Sequence, residues 1–226
     1  MPRVAIAIET SSRPSTIALS VDGGTPKVLS LDPERSHARD LVPLLADLME
    51  EVAAEPKDIE RIIVGTGPGS YTGLRVGCAT ALGLAVGLDA PDRLVGIPSF
   101  EALSYDALAP GERAAVVRNA FGGSLYLAAY GRSAQGVIEF QAPTAVAVED
   151  ASQALRSEAI WLADESALKV IGDAVPRPRE VRSSEPNAGA LLGLNPGGEA
   201  PREERCGAEA IKPLYLRPFD VKLRRR

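Results

Sequence analysis

The apolar run Ile62-Ile63-Val64 passes into Gly65-Thr66-Gly67-Pro68-Gly69-Ser70-Tyr71-Thr72-Gly73-Leu74-Arg75-Val76-Gly77, and apolar residues continue to Leu88. That order predicts a strand, a sharp glycine and proline turn, and a helix from about residue 74 to 88. Such an arrangement resembles a phosphate loop, because the free N–H groups and dipole of a helix start favour an anion. The common versions are excluded. No Gly-Lys-Ser/Thr ending supplies the lysine of a P-loop, and Thr72 stands where the third glycine of a dinucleotide fingerprint belongs. The glycines call for another explanation.

Their spacing offers one. Gly69, Gly73, Gly77 and Ala81 recur every four residues and share one stripe of the helix, with Gly83 and Gly87 as a second small pair. Each interior glycine costs up to about 1 kcal/mol relative to alanine. Bare backbone repays that loss if another element comes close. The neighbour is either the chain's own sheet or the helices of a partner, and the spacing alone leaves both open.

Around this stretch the chain alternates strands and helices. Strands are expected at 4–8, 16–21 and 27–31, with Asp22-Gly23-Gly24 as a turn. Ser36 is a candidate cap for a helix over 38–54, in which Leu41, Leu44, Leu45, Leu48 and Val52 follow a helical period. Pro43 is expected in or just after its first turn. A strand at 61–64 precedes the glycine turn, and a strand at 94–96 and a helix at 99–108 close this half. The second half follows a similar pattern, with strands at 114–118, 125–130 and 137–140, a helix at 148–155, then strands at 159–162 and 168–171. A short helix near 187–194 interrupts a Pro-, Arg-, Glu- and Gly-rich stretch. Strand-strand-strand-helix-strand-helix, used twice, is the plan of the actin-like, sugar-kinase-like (ASKHA) α/β fold: two lobes of mixed sheet plus helices, the second reduced. The expected division is a first lobe over 1–108 and a smaller second lobe over 109–226, the final segment being a candidate to return to the first.

Composition removes several classes. At 226 residues the chain can bury a sizeable core. No segment reaches the ~18 apolar residues of a membrane span, and the N-terminus lacks the pattern of a secretory signal. Two cysteines, Cys78 and Cys206, make no disulfide framework, which favours free thiols and a cytoplasmic location. A net charge of −5 disfavours broad nucleic-acid binding. The tail Lys222-Leu223-Arg224-Arg225-Arg226 reads as a solvated end, with an RNA contact as the alternative.

Residues 67–77, with Tyr71 where phenylalanine is usual, resemble the signature of the TsaB (YeaZ) family. These bacterial proteins work with TsaD in threonylcarbamoyladenosine (t6A) modification of tRNA. The opening Ile6-Ala7-Ile8-Glu9-Thr10-Ser11 is similar to that family's first strand and turn, and Ser36-His37-Ala38-Arg39 with Leu41-Val42-Pro43 to its first helix. Gly96-Ile97-Pro98-Ser99-Phe100-Glu101-Ala102-Leu103 and Pro213-Leu214-Tyr215-Leu216-Arg217 match further elements. There are departures. Glu9 stands where the actin-like fold usually places an aspartate, and Arg118-Asn119-Ala120-Phe121-Gly122-Gly123 replaces a common Asp-Ala-Arg. Gly172-Asp173 marks an adenosine-side turn or a plain surface turn.

The resemblance implies a non-catalytic, cytoplasmic partner of a TsaD-like subunit. It also implies a TsaE-like ATPase in the same assembly, self pairing as a homodimer, and only indirect contact with tRNA. Pairing through helices of the first lobe points to Leu41, Leu45 and Leu48 with Gly73, Gly77 and Thr80. Glu9, Thr10, Ser11, Gly69 and Ser70 are candidates for a vestigial phosphate site. No catalytic set is read from the residues. His37 is the single histidine, so a two-histidine metal motif is excluded, no metal or cofactor is expected, and a glycoprotease reading is poor. Ser70 has no indicated base and no G-x-S-x-G context. The alternative is an ATPase or small-molecule kinase of the same fold, using Glu9, Thr10 and the inter-lobe cleft.

Overall fold

The structure, a computed structural model, describes residues 2–32, 37–194 and 205–217. The Ser36 cap and the basic tail lie outside the described residues, as does the His37 side chain.

Strand β1 (Val4–Glu9) pairs antiparallel with β2 (Thr16–Val21), and β2 with β3 (Lys27–Ser30). Helix α1 (His37–Glu51) returns the chain to β4 (Ile59–Gly65), parallel to β1. Helix α2 (Tyr71–Gly87) then returns it to β5 (Leu94–Ile97), parallel to β4. The sheet order is therefore β3-β2-β1-β4-β5. After α3 (Ser99–Ala107), the plan recurs with β6 (Arg113–Phe121), β7 (Ser124–Ser133), β8 (Gly136–Ala147), α4 (Ala151–Arg156), β9 (Ile160–Ala163), α5 (Glu165–Ile171) and β10 (Glu180–Arg182). That sheet runs β10-β9-β6-β7-β8, antiparallel from β6 to β8 and parallel from β6 to β10. The two sheets have one topology, as the sequence pattern predicts, and the fold is the two-lobed ASKHA type.

Alternation along the central strands builds the layers. Val4, Ile6 and Ile8 of β1 face α1 and α2 and join Leu41, Leu45 and Leu48 in one core. Ala5 and Ala7 point to the other face, where α6 (Ala188–Leu194) lies across Ala18, Ile63 and Val95. In the second lobe, Ala114 and Val116 of β6 face Phe100 and Leu103 of α3, whereas Ala115 and Val117 face Trp161, Leu155 and Ile171. Each fully buried aliphatic side chain contributes about 1.5–3 kcal/mol. Both sheets are covered on both sides, which suits strands rich in Val, Ile and Ala.

Three expectations change. Residues 168–171 are the end of helix α5, not a strand: the Asp164 carboxylate accepts from the Ala167 N–H at 2.6 Å and caps it. A four-residue apolar run does not distinguish strand from helix. The fifth strand, β10, comes instead from polar residues at the sheet edge. Pro43 lies well inside α1 with its ring exposed, and α2 begins at Tyr71 because the Ser70 hydroxyl accepts from the Gly73 N–H at 3.2 Å.

Two distant segments complete the first lobe. Helix α6 packs there, and the Ala188 N–H donates to the Thr16 hydroxyl at 2.8 Å. Residues 205–217 run along β5, with a bridge from Cys206 to Val95 and Ile211 buried in the α1/α2 core. Arg205 grips Glu101 through two hydrogen bonds of 3.1 and 2.8 Å. The two crossings between lobes are tied together where Arg182 forks onto Glu112 at 2.6 and 2.7 Å and donates to the Ala107 carbonyl at 2.8 Å.

Candidate functional site

A cleft of about 1020 Å³ opens between the lobes. One wall is the turn after β1 (Ser11, Ser12, Arg13) and the start of α2 (Gly69, Ser70, Tyr71, Thr72). The other is the end of β6 (Arg118 to Gly122), the start of α5, and Glu185; Leu214, Tyr215 and Arg217 line it from the C-terminal side.

Behind the first wall, Glu9 is 1% exposed. One carboxylate oxygen accepts from the Ser11 N–H at 2.7 Å, and the other has no partner. The hydroxyls of Thr10, Ser11 and Ser12 are also buried without a partner. Burial pushes the Glu9 carboxyl above its ordinary value of 4.5, against the opposing pull of the Ser11 N–H. Its folded pKa exceeds its unfolded one, so the folded chain holds the extra proton. The associated stability is then complete below about 4.5 and is lost as pH rises through the folded pKa. Glu9→Gln, a neutral isostere, should therefore gain in melting temperature over wild type as pH is raised from 4 to 8. Melts showing a pH-independent difference would remove the buried-proton account.

The glycine stripe has its explanation on the same wall. A Cβ at Gly69 would stand 2.3 Å from the Ser11 carbonyl oxygen, one at Gly73 2.0 Å from the Thr10 carbonyl oxygen, and one at Gly77 2.3 Å from Thr10 Oγ1. A Cβ at Gly65 would meet Glu9 Oε2 at 2.0 Å. The stripe lets α2 press on the turn after β1, and the Ser70 N–H donates to the Ser11 carbonyl at 2.7 Å. Of the residues expected to pair with a partner, Leu41, Leu45, Leu48, Gly73 and Gly77 are buried within their own lobe, and Thr80 alone is partly exposed. A helical wheel does not reveal this, since α2 is apolar nearly all round. The exposed apolar residues are others: Val86 (66%) and Leu82 (38%) on α2, Val42 (50%) on α1. Ala79, Leu82, Gly83 and Val86 share one exposed face of α2, and nothing lies within 4 Å of a Cβ built at Gly83.

On the opposite wall, Arg118 is buried and fully engaged. Its Nε lies 3.0 Å from Asp164, its Nη1 donates to the Ser184 carbonyl at 2.7 Å, and its Nη2 meets Glu185. Asn119 accepts from the Phe121 N–H at 2.7 Å, which shapes the β6–β7 hairpin. The segment in place of the usual Asp-Ala-Arg thus braces the cleft wall. Gly172, with φ of 51°, ends α5, and neither it nor Asp173 lines the cleft. Sequence reading missed Asp164, Glu185 and Arg118 as a unit, because they meet only in three dimensions. Among the described residues no group of His, Cys, Asp or Glu could hold a metal ion, and no helix is long and apolar enough to cross a membrane.

Two duplicated mixed sheets about a cleft, with a glycine-walled turn behind it, define a protein of the actin-like (ASKHA) class. The family model described as TsaD, tRNA N6-adenosine threonylcarbamoyltransferase, matches residues 7–169, and the chain belongs to that family, within its TsaB (YeaZ) group. It is 30% identical over 134 residues to the tRNA threonylcarbamoyladenosine biosynthesis protein TsaB of Escherichia coli K12, covering 58% of this chain and 57% of that one. The Bacillus subtilis 168 protein of the same name is 32% identical over 99 residues, covering 44% and 42%. The structure of YeaZ from Pseudomonas aeruginosa superposes with a TM-score of 0.80 at 25% identity, over 95% of this chain and 100% of that one. The chain spans about half the length of the curated relatives it matches.

Proposed function

We propose that this chain is a non-catalytic partner of a TsaD-type subunit in t6A modification of tRNA. The observation that carries the reading is the solvent-open apolar face of α2, formed by Ala79, Leu82, Gly83 and Val86, with Val42 exposed on the adjoining α1. A single exposed leucine is ordinary, whereas a stripe over two turns of one helix marks a docking face. The TsaD-described family model and the t6A names of the relatives support a TsaD-type partner, and the buried, engaged state of Arg118 favours a supporting role rather than chemistry. The same face serves self pairing when the partner is absent, and a TsaE-type ATPase joins the assembly. The work is cytoplasmic, and contact with tRNA is indirect.

Co-expression with the TsaD-type subunit of the same organism tests this. A stable complex is expected, and t6A formation by the reconstituted components should cease when this chain is left out. Undiminished modification without it would overturn the reading. A second reading, an ATPase or small-molecule kinase, draws on the cleft and on the unpartnered hydroxyls of Ser11 and Ser12, with Glu9, Thr10, Gly69 and Ser70 beside them. Micromolar ATP binding with turnover by the isolated chain would favour it.

A further inference from the structure

The lobes are joined by two covalent crossings, but the structure holds a third link that is not covalent. The segment 214–217 leaves the first lobe at the glycine turn, where the Leu214 N–H donates to the Thr66 carbonyl at 2.8 Å. It passes the start of α2, where the Tyr215 ring lies on that of Tyr71 with centroids 4.7 Å apart. It reaches the second lobe at Arg217, which donates to the Ala120 carbonyl at 2.7 Å and to the Phe121 carbonyl. All three of these residues line the cleft.

The receiving hairpin is built for this contact. Phe121 has φ of 60°, rare for a residue with a bulky side chain, and its ring is 73% exposed, so nothing in the core holds it there. Beside its pairing with Ser124 across the hairpin, Phe121 is held by the Asn119 carboxamide at its N–H and the Arg217 guanidinium at its carbonyl. A Cβ at Gly122 would already lie 3.2 Å from Arg217 Nη2, so the glycine leaves the guanidinium its room. Both charge-assisted bonds leave one nitrogen, Nη1, whose two N–H groups reach the Ala120 and Phe121 carbonyls.

We infer that residues 214–217 are a strap across the cleft, with Leu214 and Arg217 as its anchors, and that the strap sets the opening between the lobes. Cleft width then depends on whether Arg217 is seated on the hairpin. Anything that displaces the guanidinium, by competing for it or by pulling the C-terminal segment, frees the second lobe to move. This inference stands apart from the partner reading and uses none of its residues.

The test uses the full chain with Arg217→Ala and Arg217→Lys, read by residue-resolved amide hydrogen exchange and small-angle scattering. Arg217→Ala should speed exchange at both the Phe121 and the Leu214 amides by about tenfold or more. It should also raise the radius of gyration, while β1 and the Ala114 to Val117 stretch of β6 stay protected. Leu214 is the discriminating probe, since its N–H is held by the Thr66 carbonyl of the first lobe whereas Arg217 bonds to the second. Arg217→Lys keeps the charge on a shorter side chain without the planar, pre-organised guanidinium, so it should fall between Arg217→Ala and wild type. If Arg217→Ala does not fold, Tyr215→Ala should show the same two accelerated amides. An unchanged Leu214 amide or an unchanged radius would overturn the strap.

Discussion

Gly73→Ala should lower the melting temperature of this chain, although alanine is the better helix former. Propensity alone would give a gain of up to about 1 kcal/mol. Against it stands a Cβ placed 2.0 Å from the Thr10 carbonyl oxygen, a backbone atom at the end of a central strand that has little freedom to retreat. Overpacking of a close interface costs about 1–3 kcal/mol and sometimes more, so the contact wins. For a chain of this size a net loss of ~2 kcal/mol shifts the melt down by roughly 4–8 °C. Gly83→Ala is the control on the same helix. With nothing within 4 Å of the new carbon, propensity acts unopposed and the melt should rise. Two shifts of the same sign would show that the stripe is not held by its contact with the turn after β1. Gly77→Leu, which aims at Thr10 Oγ1, disturbs the fold and so cannot report on pairing.

Leu82→Glu combined with Val86→Glu should abolish pairing with the TsaD-type subunit and leave the fold intact. Both positions are exposed, and surface changes away from special features alter stability by only about 0.5 kcal/mol. At a docked apolar face the same carboxylates would be desolvated without partners. Loss at two central contacts of about 2 kcal/mol each corresponds to a Kd weakened several hundredfold or more. Titration calorimetry beside a thermal melt separates the two effects. A wild-type Kd in this variant would send the docking face elsewhere on the molecule.

The first lobe was largely legible because its signals are local. Val4, Ile6 and Ile8 alternate with two alanines, the glycine turn follows at once on β4, and α1 carries a clean period, so element type and the mixed-sheet plan followed from a few rules. The stripe of Gly69, Gly73 and Gly77 was legible as a close approach but not as to its target. Thr10 lies far away in sequence, and only the parallel pairing of β1 with β4 brings it beneath α2. The same limit hid the bracing of Arg118 by Asp164 and Glu185 and the return of residues 205–217 along β5. Helix α5 was misread for a different reason. Its apolar stretch is too short for periodicity to decide, and the cap at Asp164 was the overlooked signal.

The placement of α6 has a consequence for synthesis. The alanine-lined face of the first sheet is covered by a helix that begins at Ala188, whereas the sheet's last strand ends at Ile97. A ribosome adding about 5–20 residues per second needs roughly 5–18 s to make the intervening chain. During that interval the emerging first lobe presents Ala5, Ala7, Ala18, Ile63 and Val95 to water. The nascent chain thus carries an open greasy surface until α6 has been made, and slowed elongation between the lobes would prolong its exposure to chaperones and to aggregation.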